Sequence, residues 1–384
     1  MTPRAAISAR GSCHFTVVQM QQADQSLRSR RFALALGAVV LAGGCAPIGR
    51  VSRNDALVAS AGTSMRTTVA TAYMESQTIS LALDRIDQRS LPLDQTYKHF
   101  GSGRGVTIYV FDGGVLDTHP ELAGRVRLGY DAFPNEDRIC NAHGTAVAGA
   151  AAGTTLGVAP DAEIVDVKMV ECRKLRGSID AIVRSTRWVL ADHALHPTHR
   201  AIANWSFIAD TTAGIPALDS AVQQLNAAGI PVIVSAGNLE MDACHISPGN
   251  SPGAIVVGAS RVRRASREAS ARLVDERAPG TAYGPCIDVF APGDSVLLPS
   301  MDGQHFPSQQ LWAGTSMAAG YVSGAVALYL EAHPFVTPQA ISEHIKTSSS
   351  RASLVDAKSS NAGLLYVGPE LTGPSLALAP RGAH

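Results

Sequence analysis

Apolar and polar positions along the chain fall into short continuous apolar runs separated by longer stretches of helical spacing. Gly105 to Phe111, GVTIYVF, is one such run, as expected of a parallel strand buried on both faces, and it delivers Asp112 at its carboxyl end. Further strands are expected over 163–170, 201–207, 231–236, 254–259 and 286–290, and helices over 143–152, 178–195, 217–228, 316–332 and 338–348. Alternation of this kind predicts an α/β fold, a doubly wound, mainly parallel sheet with helices on both faces. Ligands then bind at the carboxyl edge of the strands. The ordered domain is expected from Leu81-Ala82-Leu83 to residue 368, and the Pro-, Gly- and Ala-rich residues 369–384 form a tail.

One apolar run near the start has a different character. Residues 28–45 read RSRRFALALGAVVLAGGC: a basic n-region, an apolar stretch from Phe32 to Leu41, then small residues. That is the layout of a secretion signal, too short to span a bilayer stably. Ser29-Arg30-Arg31 gives a weak hint of twin-arginine export. The ending Leu41-Ala42-Gly43-Gly44-Cys45 resembles a bacterial lipobox, which implies cleavage before Cys45 and acylation of its thiol. Ordinary cleavage nearby without lipid is the alternative. Thirty residues are long for an n-region, and Met20 would give a conventional length, so translation is expected to begin there. Ala46 to Thr78, rich in Ser, Thr and Ala, reads as a tether or short pro-segment.

Composition narrows the partners. Lys plus Arg and Asp plus Glu balance at 32 each, so net charge steers the chain toward neither nucleic acid nor a charged surface. No nucleic-acid partner, and a membrane reached through an N-terminal lipid, is the expected arrangement.

Three segments carry candidate chemistry. Gly314-Thr315-Ser316-Met317-Ala318-Ala319 heads a small-residue helix, where unpaired amides and the helix dipole favour developing negative charge. In isolation Ser316 would be read as an N-cap. His143-Gly-Thr-Ala-Val-Ala-Gly opens another helix, and Asp112 ends a strand. Together these supply a nucleophile, a base and an orienting carboxylate, the three residue types that make a serine hydroxyl reactive. Val232 to Asn238, VIVSAGN, adds an Asn after a strand: a turn former or an oxyanion donor.

These segments resemble the subtilases, the subtilisin-like serine proteases, and within them the branch of proteinase K and aqualysin. The resemblance covers roughly 81–350 and rests on Val110-Phe111-Asp112-Gly113-Gly114-Val115 with Thr118-His119-Pro120-Glu121-Leu122, on HGTAVAG and on GTSMAA, in subtilase order. It implies Asp112, His143 and Ser316 as the triad and Asn238 as the oxyanion residue. It also implies substrate walls from Ser206, Phe207 and Ile208 and from Ser235, Ala236 and Gly237. Disulfides Cys140–Cys172 and Cys244–Cys286 follow from the same resemblance, with a metal cluster disfavoured by the lack of CxxC spacing. No cofactor is required for the chemistry. A structural calcium ion is implied at Pro252, Ala254 and Asp288, a sparse set for a hard cation, and Asp288 could equally cap a turn.

Departures from the family pattern refine these expectations. Gly113 stands where Ser or Thr is usual, Ala146 where a second His is frequent, Gly320 where Pro follows and Tyr321 where His is common. Gly320 should leave the helix of Ser316 looser, since Gly lowers helix propensity by about 1 kcal/mol relative to Ala. Ser206-Phe207-Ile208-Ala209 replaces Ser-Leu-Gly-Gly, so Ile208 should crowd the substrate pocket and narrow its preference. Arg261 to Arg277 reads as a long, basic surface loop and a candidate autolysis point. The segment ahead of the domain is short for the family's inhibitory pro-domain. The resemblance implies an exported, monomeric serine endopeptidase acting on polypeptide; a peptide-binding scaffold without turnover, and an esterase, are the competing readings.

Overall fold

The computed structural model describes residues 73–209, 214–268, 271–351, 354–360 and 362–368. The signal region with Met20 and Cys45, and the tail at 369–384, lie outside the described residues. The domain is ordered earlier than expected. β1 (Tyr73–Gln77), in the stretch read as tether, pairs antiparallel with β2 (Thr96–Phe100). Between them α1 (Leu81–Ile86) starts at Ser80, whose hydroxyl accepts from the Leu83 amide.

The centre is a parallel sheet built from the apolar runs. β3 (Val106–Asp112) lies between β5 (Glu163–Lys168) and β8 (Arg200–Trp205), with β4 (Val126–Asp131) outside β5. A two-residue pair, β6 (Val170–Glu171) and β7 (Arg176–Gly177), follows β5. On the other side β9 (Val232–Ser235) joins β8, and β10 (Ala254–Arg264) joins β9. From β3 the chain adds strands first to one side and then to the other. The carboxyl ends of β3 and β8 therefore flank the switch point at which α/β sheets bind ligands. β12 (Val289–Pro292) runs parallel to β10 and to the short β16 (Gly363–Leu364).

The basic segment 261–277 is not a surface loop, as its charge suggested. β10 runs on to Arg264 and pairs antiparallel with β11 (Leu273–Arg277), which carries β15 (Leu354–Val355) on its far edge. Charges that looked solvent-bound are matched: Arg261 and Arg263 both reach Glu276, and buried Asp275 pairs with Arg85 at 2.7 Å. The matched pairs, invisible in a count of basic residues, let the hairpin order.

Helices cover both faces. α3 (Ile179–Leu195) and α4 (Pro216–Ala227) bury apolar stripes against one face, and α6 (Pro338–Ser348) starts at the Thr337 cap. α2 (His143–Ala152) and α5 (Thr315–Ala332) lie in the core of the other face, apolar nearly all round, as buried helices must be. They approach closely because small residues meet. A Cβ on Gly320 would lie 2.7 Å from the Val147 carbonyl oxygen and 2.9 Å from the Ala150 Cβ, and one on Gly324 would lie 2.5 Å from the Ala151 carbonyl oxygen. Gly320 is thus a point of close contact, where a loosened helix had been expected. A final hairpin, β13 (Asp294–Met301) and β14 (Pro307–Ala313), leads into α5.

Substituting Gly320→Ala should destabilise the domain by about 1–3 kcal/mol through overpacking, despite alanine's better helix propensity. Denaturant unfolding reads this directly, and an unchanged or raised midpoint would contradict the packing described.

Candidate active site

The switch-point crevice collects the sequence-predicted residues. Asp112, the last residue of β3, is 3 % exposed, and its Oδ2 lies 2.7 Å from Nδ1 of His143 at the head of α2. Its Oδ1 accepts from the Gly113 amide at 2.7 Å, which fixes the carboxylate plane. The small residue at 113 leaves that bond intact. The His143 amide donates to Asn141 Oδ1, so the helix start is also held. Burial opposes the imidazolium, but the Asp112 charge and hydrogen bond outweigh it and raise the His143 pKa above its ordinary value.

Ser316 stands in the first turn of α5, 2 % exposed, after Gly314 at φ +142°, a conformation suited to glycine. Its hydroxyl donates to the Ser206 carbonyl oxygen at 3.1 Å, and the Ser206 hydroxyl accordingly reaches the Ser316 carbonyl oxygen at 3.1 Å. In this arrangement the serine hydroxyl rests on the end of β8 rather than on the imidazole. The helix register nevertheless brings the two side by side. Gly320 packs on Val147, and one turn back on each helix stand Ser316 and His143 on the same facing stripes.

Asn238 follows β9, and its Oδ1 accepts from the Thr315 amide at 3.0 Å, which holds the side chain against the start of α5. The Gly237 amide donates to Thr315 Oγ1 at 3.1 Å, so the VIVSAGN turn is fastened to the start of α5. Ser206, Phe207 and Ile208 extend from β8, and Ser235, Ala236 and Gly237 from β9. The Ser235 hydroxyl donates to the Phe207 carbonyl oxygen at 3.3 Å across the gap. Ile208 leans over that gap: a Cβ on Gly237 would lie 3.1 Å from its Cγ2.

Both disulfides are closed, Cys140–Cys172 and Cys244–Cys286, with Cα atoms 4.6 and 5.2 Å apart. Their sequence separations of 32 and 42 correspond to about 3–4 kcal/mol each in the chain-entropy account. The residues implied for calcium are differently engaged. Asp288 Oδ2 accepts from the Val256 amide at 2.8 Å, and Oδ1 faces the Lys346 ammonium at 2.9 Å. With its one carboxylate already held by a cation, the Pro252, Ala254 and Asp288 set does not fit a divalent ion in this arrangement.

Several contacts were not foreseen. Trp312 on β14 packs edge-on to His143, ring centroids 6.4 Å apart, and walls one side of the imidazole. His119 of the THPEL segment places Nε2 2.9 Å from the Ser308 carbonyl oxygen, tying the β13–β14 hairpin down. A lone Trp two residues before a glycine-headed helix was the available signal.

An α/β fold with Ser, His and Asp gathered at the sheet's carboxyl edge defines a class of hydrolase-like architecture. Comparison with known proteins sharpens it. The subtilase family model, peptidase S8, matches residues 103–365. The chain is 39 % identical over 261 residues to an extracellular serine proteinase of Thermus sp. strain Rt41A, covering 67 % of this chain and 58 % of that protein. It is 37 % identical over 286 residues to alkaline serine exoprotease A of Vibrio alginolyticus, covering 74 % and 49 %. The crystal structure of a cold-adapted subtilisin-like serine proteinase superposes with a TM-score of 0.65 at 35 % identity, covering 76 % of this chain and 99 % of that one. This chain belongs to the subtilase family.

Because His143 must be neutral to accept a proton, and Asp112 raises its pKa, activity should fall as pH drops through a midpoint above 6.5. A kcat/KM–pH profile measures it. Asp112→Asn should move the midpoint down, and an acid limb lying below 6.5 in the native protein would contradict the pairing.

Proposed function

We propose that this chain is an exported serine endopeptidase. The observation that carries the proposal is the buried Asp112–His143 bond beside a serine at a helix N-terminus in the crevice. Ser316 Oγ attacks the peptide carbonyl as its proton passes to His143 Nε2, and Asp112 holds the imidazole by Nδ1 and steadies its charge. The oxyanion of the tetrahedral intermediate lies between the Asn238 amide and the Ser316 N–H. Its collapse breaks the C–N bond, with the proton on His143 delivered to the leaving amine. Water activated by His143 then hydrolyses the acyl ester. Oxyanion donors act at the moment charge develops; removing one costs on the order of 10²–10³ in kcat, a magnitude known from subtilisin. Similarity to the extracellular Thermus proteinase supports export, and Cys45 acylation supplies a membrane anchor in this proposal.

The alternative of a peptide-binding scaffold is favoured by one observation, the Ser316 hydroxyl resting on Ser206. A fluorophosphonate probe discriminates. The full chain should be labelled and Ser316→Ala should not. A folded but unlabelled native protein would leave only the scaffold. Mass analysis of the labelled protein also reports whether Cys45 carries lipid.

Substrate choice follows from Ile208. The side chain flanking the attacked carbonyl has to enter the gap between the ends of β8 and β9, which Ile208 partly fills. Small residues should therefore be preferred there. In a peptide library Ile208→Gly should raise kcat/KM for Phe and Leu at that position by about tenfold or more, the equivalent of 1–3 kcal/mol of pocket fit. Equal use of large and small residues by the native chain would sink this assignment.

A further inference from the structure

Behind the Asp112–His143 pair lies a layer of buried charge. Asp166 and Lys168, two apart on β5, project to the same face of the sheet as Asp112 and are both fully buried. Asp166 Oδ2 lies 2.7 Å from Arg138 Nη2, and the same nitrogen donates to the Asp166 carbonyl oxygen at 3.1 Å. Arg138 Nη1 is 3.5 Å from Asp131, which in turn faces Lys168 Nζ at 3.4 Å. Two cations and two carboxylates thus alternate beneath the catalytic edge. Neither Asp166 carboxylate oxygen receives a well-aligned hydrogen bond. Such a group is held ionised mainly by its neighbour's charge.

The segment that carries Arg138 runs straight on to the base. The Arg138 carbonyl and Ile139 back onto Gly114, where a Cβ would come within 2.3 Å of the Arg138 oxygen. The Cys140 amide donates to the Gly113 carbonyl oxygen at 2.7 Å, and Asn141 receives the His143 amide. Arg138 therefore pins one strip of chain across the turn that follows Asp112 and up to His143.

We propose that Arg138 and Asp166 are positioning residues for the Asp112–His143 pair, and that turnover depends on Asp166 being ionised. The proposal rests on the serine protease reading above. When Asp166 is charged, the guanidinium is drawn under the Gly113–Gly114 turn and the strip over it is held. When Asp166 gains a proton, the guanidinium loses its closest charge and keeps the neutral Asp166 carbonyl oxygen and the more distant Asp131. The charged and titratable groups facing Asp166 are Arg138 from the strip, Asp112 from β3, Lys168 from its own strand and Asp131 from β4. The Val115 amide also favours its ionised form. Burial pushes the Asp166 carboxyl up to about 7, against the opposing pull of Arg138. The switch thus falls within the working range of the base. The sign for stability is the reverse of an ordinary ion pair. A carboxyl whose folded pKa is raised withdraws stability as pH rises through that value, so ionised Asp166 is a cost borne above pH 7.

The test is Asp166→Asn in the full chain, read by kcat/KM against pH and by thermal unfolding at pH 8. In the native protein two protons should suppress activity, giving an acid limb steeper than one proton. The variant should show a single-proton limb, a rate lower by about tenfold at pH 8, and a midpoint of unfolding no lower than native. Arg138→Met should reproduce the rate loss, and the double variant should lose no more than either single one. A native-like rate and limb in Asp166→Asn would overturn the proposal, as would a rate loss accompanied by a lowered unfolding midpoint. Failure of the parent reading would look different: the native protein would neither take the fluorophosphonate label nor hydrolyse peptides.

Discussion

Everything in the crevice depends on how closely two helices can lie. α2 brings His143 and α5 brings Ser316, and their axes are drawn together because Gly320 and Gly324 present backbone where other residues would present Cβ. Both helices are buried nearly all round, so neither can shift without moving the core. The contact is made of van der Waals surface and needs no polar group. That is why a glycine-containing helix holds Ser316 firmly.

Electrostatics completes what packing begins. At the carboxyl edge the sheet buries Asp112, Asp166 and Lys168 within two residues of one another on neighbouring strands. Burying charge is unfavourable unless it is matched, and the matching comes from His143 on α2, Arg138 in a loop and Asp131 at the end of β4. Arg138 lies in the strip fastened by Cys140–Cys172, and Asn238 in the turn ahead of Cys244–Cys286. The rigid sheet sets where carboxylates end, and the segments around that edge set which side chains answer them.

The sheet and its helices were legible because burial on both faces writes itself as unbroken apolar runs, as at 105–111, and because the site residues sit at the ends of those runs. The alternation also placed α2, α3, α4, α5 and α6 within a residue or two. What was not legible depends on pairing between distant segments. Arg261 to Arg277 looked like a solvated loop because Glu276 and Asp275 find their partners only in the folded chain. Gly320 looked like a weakness because propensity is local and its contact with Val147 is not. Asp288 looked like a cation ligand, but Lys346, remote in sequence, meets its carboxylate. Asp166 and Lys168 did leave a trace, two charges breaking an apolar strand at the spacing of one face, and that signal was passed over.

The two covalent bridges join loops, not sheet to helix. Bonds of this kind form in oxidising compartments and are kept open by cytosolic thiols. They fasten the strip ahead of His143 and the turn after Asn238, so a reducing environment acts first on the mounts of those two side chains. The geometry of the crevice is then tied to redox conditions.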